Sequence, residues 1–160
     1  MSKEIVNALA AQFKRAADFY DKFIEICPDN VWAGTAGKFP VWQTVYHAIV
    51  CVPFFLSGKD EDTGIKNLYG REVLMFQDLS QPAADKKAMA AYAKQINAWV
   101  DKYFASLSDA DLAKKHEGFS ARVNTPFPTA GVIASLTGHH MYHFGACDAA
   151  LRNNGLEGLY

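Results

Sequence analysis

Gly138-His139-His140-Met141-Tyr142-His143 places three of the chain's five histidines in five consecutive positions of an otherwise apolar segment. Pro126-Phe127-Pro128 stands before that segment and Asn153-Asn154-Gly155 after it, a stop and a C-terminal signal that together frame a long helix. At about 100° per residue, Val132, Leu136, His139, His143, Ala146 and Ala150 share one stripe roughly 80° wide. Such a stripe belongs against other elements. His139 and His143 then sit one turn apart with Cβ atoms roughly 6 Å from each other, close enough to grip one metal ion. An unpartnered buried polar group costs about 1–3 kcal/mol, which a shared cation would offset if a third ligand arrived from elsewhere. His140 is a second choice of partner for His143. It lies about 80–100° around the axis from the other two, as a groove wall or supporting residue. The alternative is that these histidines pack and hydrogen-bond as ordinary core residues.

Working outward, helical spacing recurs in three more segments. Ile5, Leu9, Phe13, Ala16, Phe19 or Tyr20, and Phe23 mark a first helix from about Ser2, its N-cap, to Ile26, where Pro28 stops it. A second opens near Pro40, carries Trp42, Val45, Tyr46, Ile49 and Val52, and ends around Leu56-Ser57-Gly58, with Pro53 kinking its last turns. A third runs from about Pro82 to Leu107. Residues 108–128 read as a loop, and the last helix runs from Thr129, its cap, to Arg152. Strand signals are weak and βαβ alternation is missing, so the reading is an all-α four-helix bundle in one domain, 1–160. Between the second and third helices, residues 58–81 form an irregular or short-helical insertion. Lys59-Asp60-Glu61-Asp62 reads as a solvated turn. Tyr69, Met75 and Phe76 call for an apolar surface and are expected to cover the mouth of a site, with a dimer contact as the alternative.

Composition removes several function classes. Sixteen basic and 17 acidic residues give a net charge of −1 without a basic stripe, which argues against nucleic acid as a partner. The apolar run Val45–Leu56 is too short to span a bilayer, and Met1-Ser2-Lys3-Glu4 opens no signal-like core. Cys27, Cys51 and Cys147 are odd in number and scattered, as in a reducing cytoplasm. Twenty-one Phe, Trp and Tyr residues are generous for four helices to bury alone, which points to a homodimer.

Two other histidines could complete a site. His116, in the charged run Lys114-Lys115-His116-Glu117, reads as solvated surface. His47 shares one side of the second helix with Gln43, Thr44 and Cys51, a polar seam of the kind that builds internal sites in bundles. Cys51 could ligate a soft metal as thiolate, or serve as a small buried hydrophobe.

His139-x-x-x-His143-x-Gly145, followed by Leu151-Arg152 and Gly155, resembles the last-helix signature of the DinB/YfiT-like family. So does Phe39-Pro40-Val41-Trp42 leading to His47 on the second helix. The resemblance implies a four-helix bundle, often dimeric, with a divalent metal (zinc, nickel or iron) held by His47, His139 and His143. It also implies, as in some members, a metal-dependent transferase or hydrolase that uses a low-molecular-weight thiol or water against a small electrophilic substrate. Phe144 and Ala146 replace an Arg and a Gln found in many members. No carboxylate stands where a zinc hydrolase keeps its base, since Asp148 lies well off the ligand axis. Tyr142 and His140 are the nearest proton-handling candidates. A non-catalytic sensor that binds metal or a small ligand is the alternative function.

Overall fold

The computed structural model describes residues 2–57 and 63–160. The expected turn at Lys59–Asp62 lies outside them. The chain enters through α1 (Glu4–Ile26), a short α2 (Asp29–Trp32) and a two-residue hairpin, β1 (Thr35–Ala36) with β2 (Phe39–Pro40). Then follow α3 (Val41–Ser57), α4 (Arg71–Leu74), α5 (Lys86–Ser106), α6 (Asp109–Leu112), α7 (Glu117–Val123) and α8 (Thr129–Asn153). Helices α8 and α5 each lie between α1 and α3, so the four long helices close into a ring around one core. The architecture is all-α, as expected. Among the described residues, no helix is long and apolar enough to cross a membrane.

The core is built from rings. Phe13, Tyr20 and Phe23 of α1, Trp42 and Tyr46 of α3, Tyr92 of α5 and Phe144 of α8 are all fully buried. Burying an aromatic or large aliphatic side chain contributes about 1.5–3 kcal/mol, so these positions set the register of the four helices. The hydroxyls of Tyr20, Tyr46 and Tyr92 all find partners. The Tyr20 hydroxyl donates to the His140 carbonyl at 2.7 Å, and the Trp32 indole N–H donates to the Ala84 carbonyl at 2.7 Å. Phe144 stacks on Phe19 with ring centroids 4.8 Å apart, an apolar environment in which an arginine would lose its water.

Several helix ends differ from the sequence reading. Lys3, not Ser2, holds the cap position of α1, and neither closes it with a side chain. Asp109 does so from a distance. Its Oδ1 accepts the N–H groups of Ile5 and Val6 at 3.1 and 3.0 Å, and its Oδ2 accepts the Ser2 hydroxyl at 2.6 Å. Helix α5 starts at Lys86 rather than Pro82, because Asp85 caps it by accepting from the Ala88 N–H at 2.8 Å. Pro128, not Thr129, caps α8, and the Thr129 hydroxyl bonds instead to the Lys114 carbonyl at 3.1 Å. The stretch 108–128 is no plain loop, since it holds α6 and α7. A small hairpin also appears where no strand was expected, turning at Gly37 in the left-handed region (φ 64°). The C-terminal signal of α8 acts as read: Gly155 adopts φ 75°, and the N–H groups of Gly155 and Leu156 cap the carbonyls of Arg152 and Leu151 at 3.0 and 3.1 Å.

His116 is also not solvated surface. Its Nδ1 accepts the Phe119 N–H at 3.1 Å, capping α7, while its Nε2–H donates to the Leu56 carbonyl at 2.6 Å. It ties α7 to the end of α3.

Candidate metal centre

Helix α3 brings Gln43, His47 and Cys51 to one side at four-residue intervals, and α8 carries His139 and His143 one turn apart. These two helices pack along each other, and the imidazoles meet in the seam. The His47 and His139 Nε2 atoms are 3.2 Å apart. The His143 ring lies edge-on to both, its centroid 4.7 Å from that of His47 and 4.5 Å from that of His139. The Cys51 Sγ lies 3.8 Å from both ring nitrogens of His47. Taken by donor atoms, His47, Cys51 and His139 form a set whose members all fall within 4.8 Å of one another. Cys51 is half-buried rather than a closed core residue, so the thiol sits at the site.

The core-facing histidine of α8 is the other one. His140 is 2% exposed, packed between Phe13 and Tyr20 at centroid distances of 5.0 and 5.3 Å, whereas His139 and His143 are half-buried on the flank toward α3. The stripe drawn from sequence is therefore rotated. The buried face runs through Ile133, Leu136, His140, Phe144, Cys147 and Leu151, because α8 has to fill the space against α1 as well as α3. His140 thus lines the core rather than the groove. Tyr142 is 78% exposed and meets His143 edge-on at 5.1 Å.

Burial controls the protonation of the cluster. Desolvation lowers the pKa of His47, and it brings His139 down to about 3 and His143 to about 4, with repulsion between the neighbouring rings adding to the effect on the latter two. At neutral pH all three rings are uncharged, the form that ligates metal. The His47 Nδ1 lies 2.8 Å from the Leu74 carbonyl. A carbonyl only accepts, so Nδ1 carries the proton and Nε2 presents its lone pair to His139. This backbone-oriented imidazole is the usual support of a metal ligand.

Two observations test the fit of a cation. Ligand nitrogens bonded at about 2.0–2.1 Å to one tetrahedral ion stand about 3.3–3.4 Å apart, close to the Nε2–Nε2 spacing here. The His139 Nδ1 is buried and has no hydrogen-bond partner among the described residues, so the ring's one polar contact is that of its Nε2 with His47. The cluster fits a divalent metal. Among the described residues no carboxylate belongs to it: Asp148 is held by the Arg152 guanidinium at 2.8 Å and by the Leu159 N–H.

The segment between α3 and α5 wraps the site. The Gln43 amide, fully buried, donates to the Val73 and Asp78 carbonyls at 2.6 and 2.9 Å, and the Tyr46 hydroxyl donates to the Tyr69 carbonyl at 3.0 Å. Phe76, held at φ 57°, faces His47 at a centroid distance of 4.7 Å and Phe39 at 4.2 Å. Beside the histidines opens a cavity of about 750 Å³, walled in part by Phe54, Phe55, Leu74 and Met75. The sequence reading missed Asn67, Arg71 and Arg122 on its lining, since no periodicity links these loop and short-helix positions to the seam.

No protein-family model matches the sequence, and no curated protein matches it. Among solved structures, the crystal structure of a DinB-like protein from Bacillus cereus is similar over 96% of this chain and 97% of that one, with a TM-score of 0.68 and 19% sequence identity. The fold is DinB-like. The resemblance read from His139-x-x-x-His143-x-Gly145 and the Phe39–His47 approach is met at the level of this architecture. The chemistry of the DinB-like bundle in this chain rests on its own side chains.

Proposed function

We propose that the chain is a metal-dependent enzyme in which His47, His139 and His143, with Cys51 beside them, hold a divalent cation for thiol or water chemistry on a small electrophile. The observation that carries this reading is the 3.2 Å approach of the His47 and His139 Nε2 atoms, with the opposite nitrogen of His47 already committed to a backbone carbonyl. A cation bound there supplies Lewis acidity that lowers the pKa of a thiol or water. The protein's part is orientation and exclusion of solvent. The Leu74 carbonyl holds the Nδ1 proton of His47, Phe76 and Phe55 cover the ring faces of His47 and His139, and the strap from Tyr69 to Asp78 narrows access. The cluster holds a thiol and, among the described residues, no carboxylate base, which favours thiol transfer over peptide hydrolysis.

Elemental analysis of protein prepared without a histidine tag tests the reading, followed by a thiol-conjugation assay against a panel of electrophiles. Stoichiometric metal that disappears in His139→Ala is the expected result. A wild-type protein that takes up no zinc, nickel, cobalt or iron would remove the basis of the proposal. We further propose that the working unit is a homodimer, for which light scattering should give twice the chain mass of 17.7 kDa.

A further inference from the structure

Phe76 stands where a helix end normally takes a glycine. Helix α4 closes at Met75, and the next residue, Phe76, turns the chain with φ 57°. Its N–H bonds to the Val73 carbonyl at 3.2 Å, and the Gln77 N–H bonds to the Glu72 carbonyl at 2.8 Å. That pair of bonds ends a helix through a left-handed residue. Glycine enters the conformation freely and asparagine tolerates it, whereas other side chains meet a steric cost at Cβ. Among the described residues the only other non-glycine with positive φ is Asn124, of the tolerant type. The Phe76 ring is therefore placed against the preference of its own backbone.

What the ring touches accounts for the placement. Its centroid lies 4.2 Å from that of Phe39 in the hairpin, 4.7 Å from His47 on α3 and 6.4 Å from His143 on α8. The cavity beside the site meets a different part of the cluster. His47, Cys51 and His139 line it, and Phe76 and His143 do not. We propose that Phe76 is a positioning residue of the metal centre, a ring that closes the His143 flank and leaves a bound cation open to small molecules on the Cys51–His139 side. The left-handed cap fixes where the side chain leaves the strap, and Phe39 backs the ring, so its place over His47 is set from two directions. A glycine would end α4 at less cost and uncover the histidines. The inference rests on the metal-centre reading and adds the direction from which that site is reached.

Phe76→Gly, Phe76→Ala and Phe76→Tyr in the full chain test it. In metal-free protein, acylation by diethyl pyrocarbonate is mapped histidine by histidine. The glycine and alanine variants should acylate His47 and His143 several-fold faster, and the tyrosine variant should keep wild-type rates. His116, tied to the Leu56 carbonyl at the end of α3, is the unchanged reference. Alkylation of Cys51 by iodoacetamide should not change either, because this thiol faces the cavity. Urea unfolding isolates the backbone: both small variants lack the ring, and glycine should have a folding constant about fivefold above that of alanine. With zinc loaded, EDTA should strip the metal about tenfold faster from the glycine and alanine variants at unchanged stoichiometry. Equal folding constants would overturn the strain from which the placement is argued. Unchanged acylation in Phe76→Gly would overturn the shield. So would Cys51 alkylation that accelerates as much as His143 acylation, since that shows a loosened strap and not an opened flank. Faster acylation of His47 and His143 alone, in a protein that takes up no metal, would keep Phe76 as the shield of the histidines and sink only the metal-centre reading.

Discussion

Replacing Gln43 by Met tests how the strap over the site is held. The side chain is fully buried, and its amide donates to the Val73 and Asp78 carbonyls at 2.6 and 2.9 Å. Methionine keeps the length and removes the donors. The Val73 carbonyl keeps the Phe76 N–H at 3.2 Å, so it and the part-exposed Asp78 carbonyl each lose one bond worth about 0.5–1.5 kcal/mol. The Gln43 Oε1 has no partner among the described residues, so deleting it returns about 1 kcal/mol. The net loss is about 0–2 kcal/mol, and it falls on the strap first. Urea unfolding should show it, and hydrogen exchange should localise it to the N–H groups of Phe76, Gln77 and Asp78, which bond within 72–78. The Leu74 carbonyl that orients His47 belongs to the same strap, so metal affinity should fall about tenfold. Unchanged exchange at residues 74–78 would show that Gln43 does not anchor the strap.

Cobalt loading examines the role of the thiol. With Cys51 in the donor set, the cobalt protein should show a near-ultraviolet thiolate charge-transfer band that Cys51→Ser removes. Visible bands without it would give the place to His143. His140→Leu removes a buried Nδ1 without a partner among the described residues, at similar volume. It should raise the urea midpoint by an amount worth about 1 kcal/mol and spare metal content, whereas a loss of metal would return His140 to the site. Asp109 gives an acid-range test. Hydrogen bonds from the Ser2 hydroxyl and then the Val6 N–H hold its carboxyl below the ordinary range. The unfolded chain therefore takes the proton first, and the stabilisation is present above about pH 4 and lost as pH falls below it. Asp109→Asn should be less stable than wild type at pH 7, with the gap narrowing as pH falls through the acid range; a gap that stays constant would refute the cap.

The long helices were legible because each spans several turns, enough for apolar spacing and a proline or glycine stop to register. α6 and α7 were not. With four and seven residues they are too short for periodicity, and their caps, Asp111 with Ser108 and His116 with Phe119, lie in a stretch whose charged and proline residues read as loop. The candidate site was legible as residue types, His47 on one helix and His139 with His143 on another. The phase of α8 was not, because apolar residues lie nearly all round it: Ile133, His140 and Phe144 face α1 as firmly as the seam faces α3. Cys51 was visible as a neighbour of His47, but its half-open position depends on the 63–78 strap. Arg71 and Arg122 carried no signal, since their meeting at one cavity is a product of tertiary folding.

The cap on α1 sets an order of events. Asp109 reaches back 103 and 104 residues to the first turn of that helix, and no nearer side chain caps it. Closing so long a loop costs entropy before the contact returns anything, so the tip of α1 stays frayed until α5 and α6 have docked. During synthesis the ribosome must add 103 residues after Val6, to reach Asp109, before this helix can finish its own beginning.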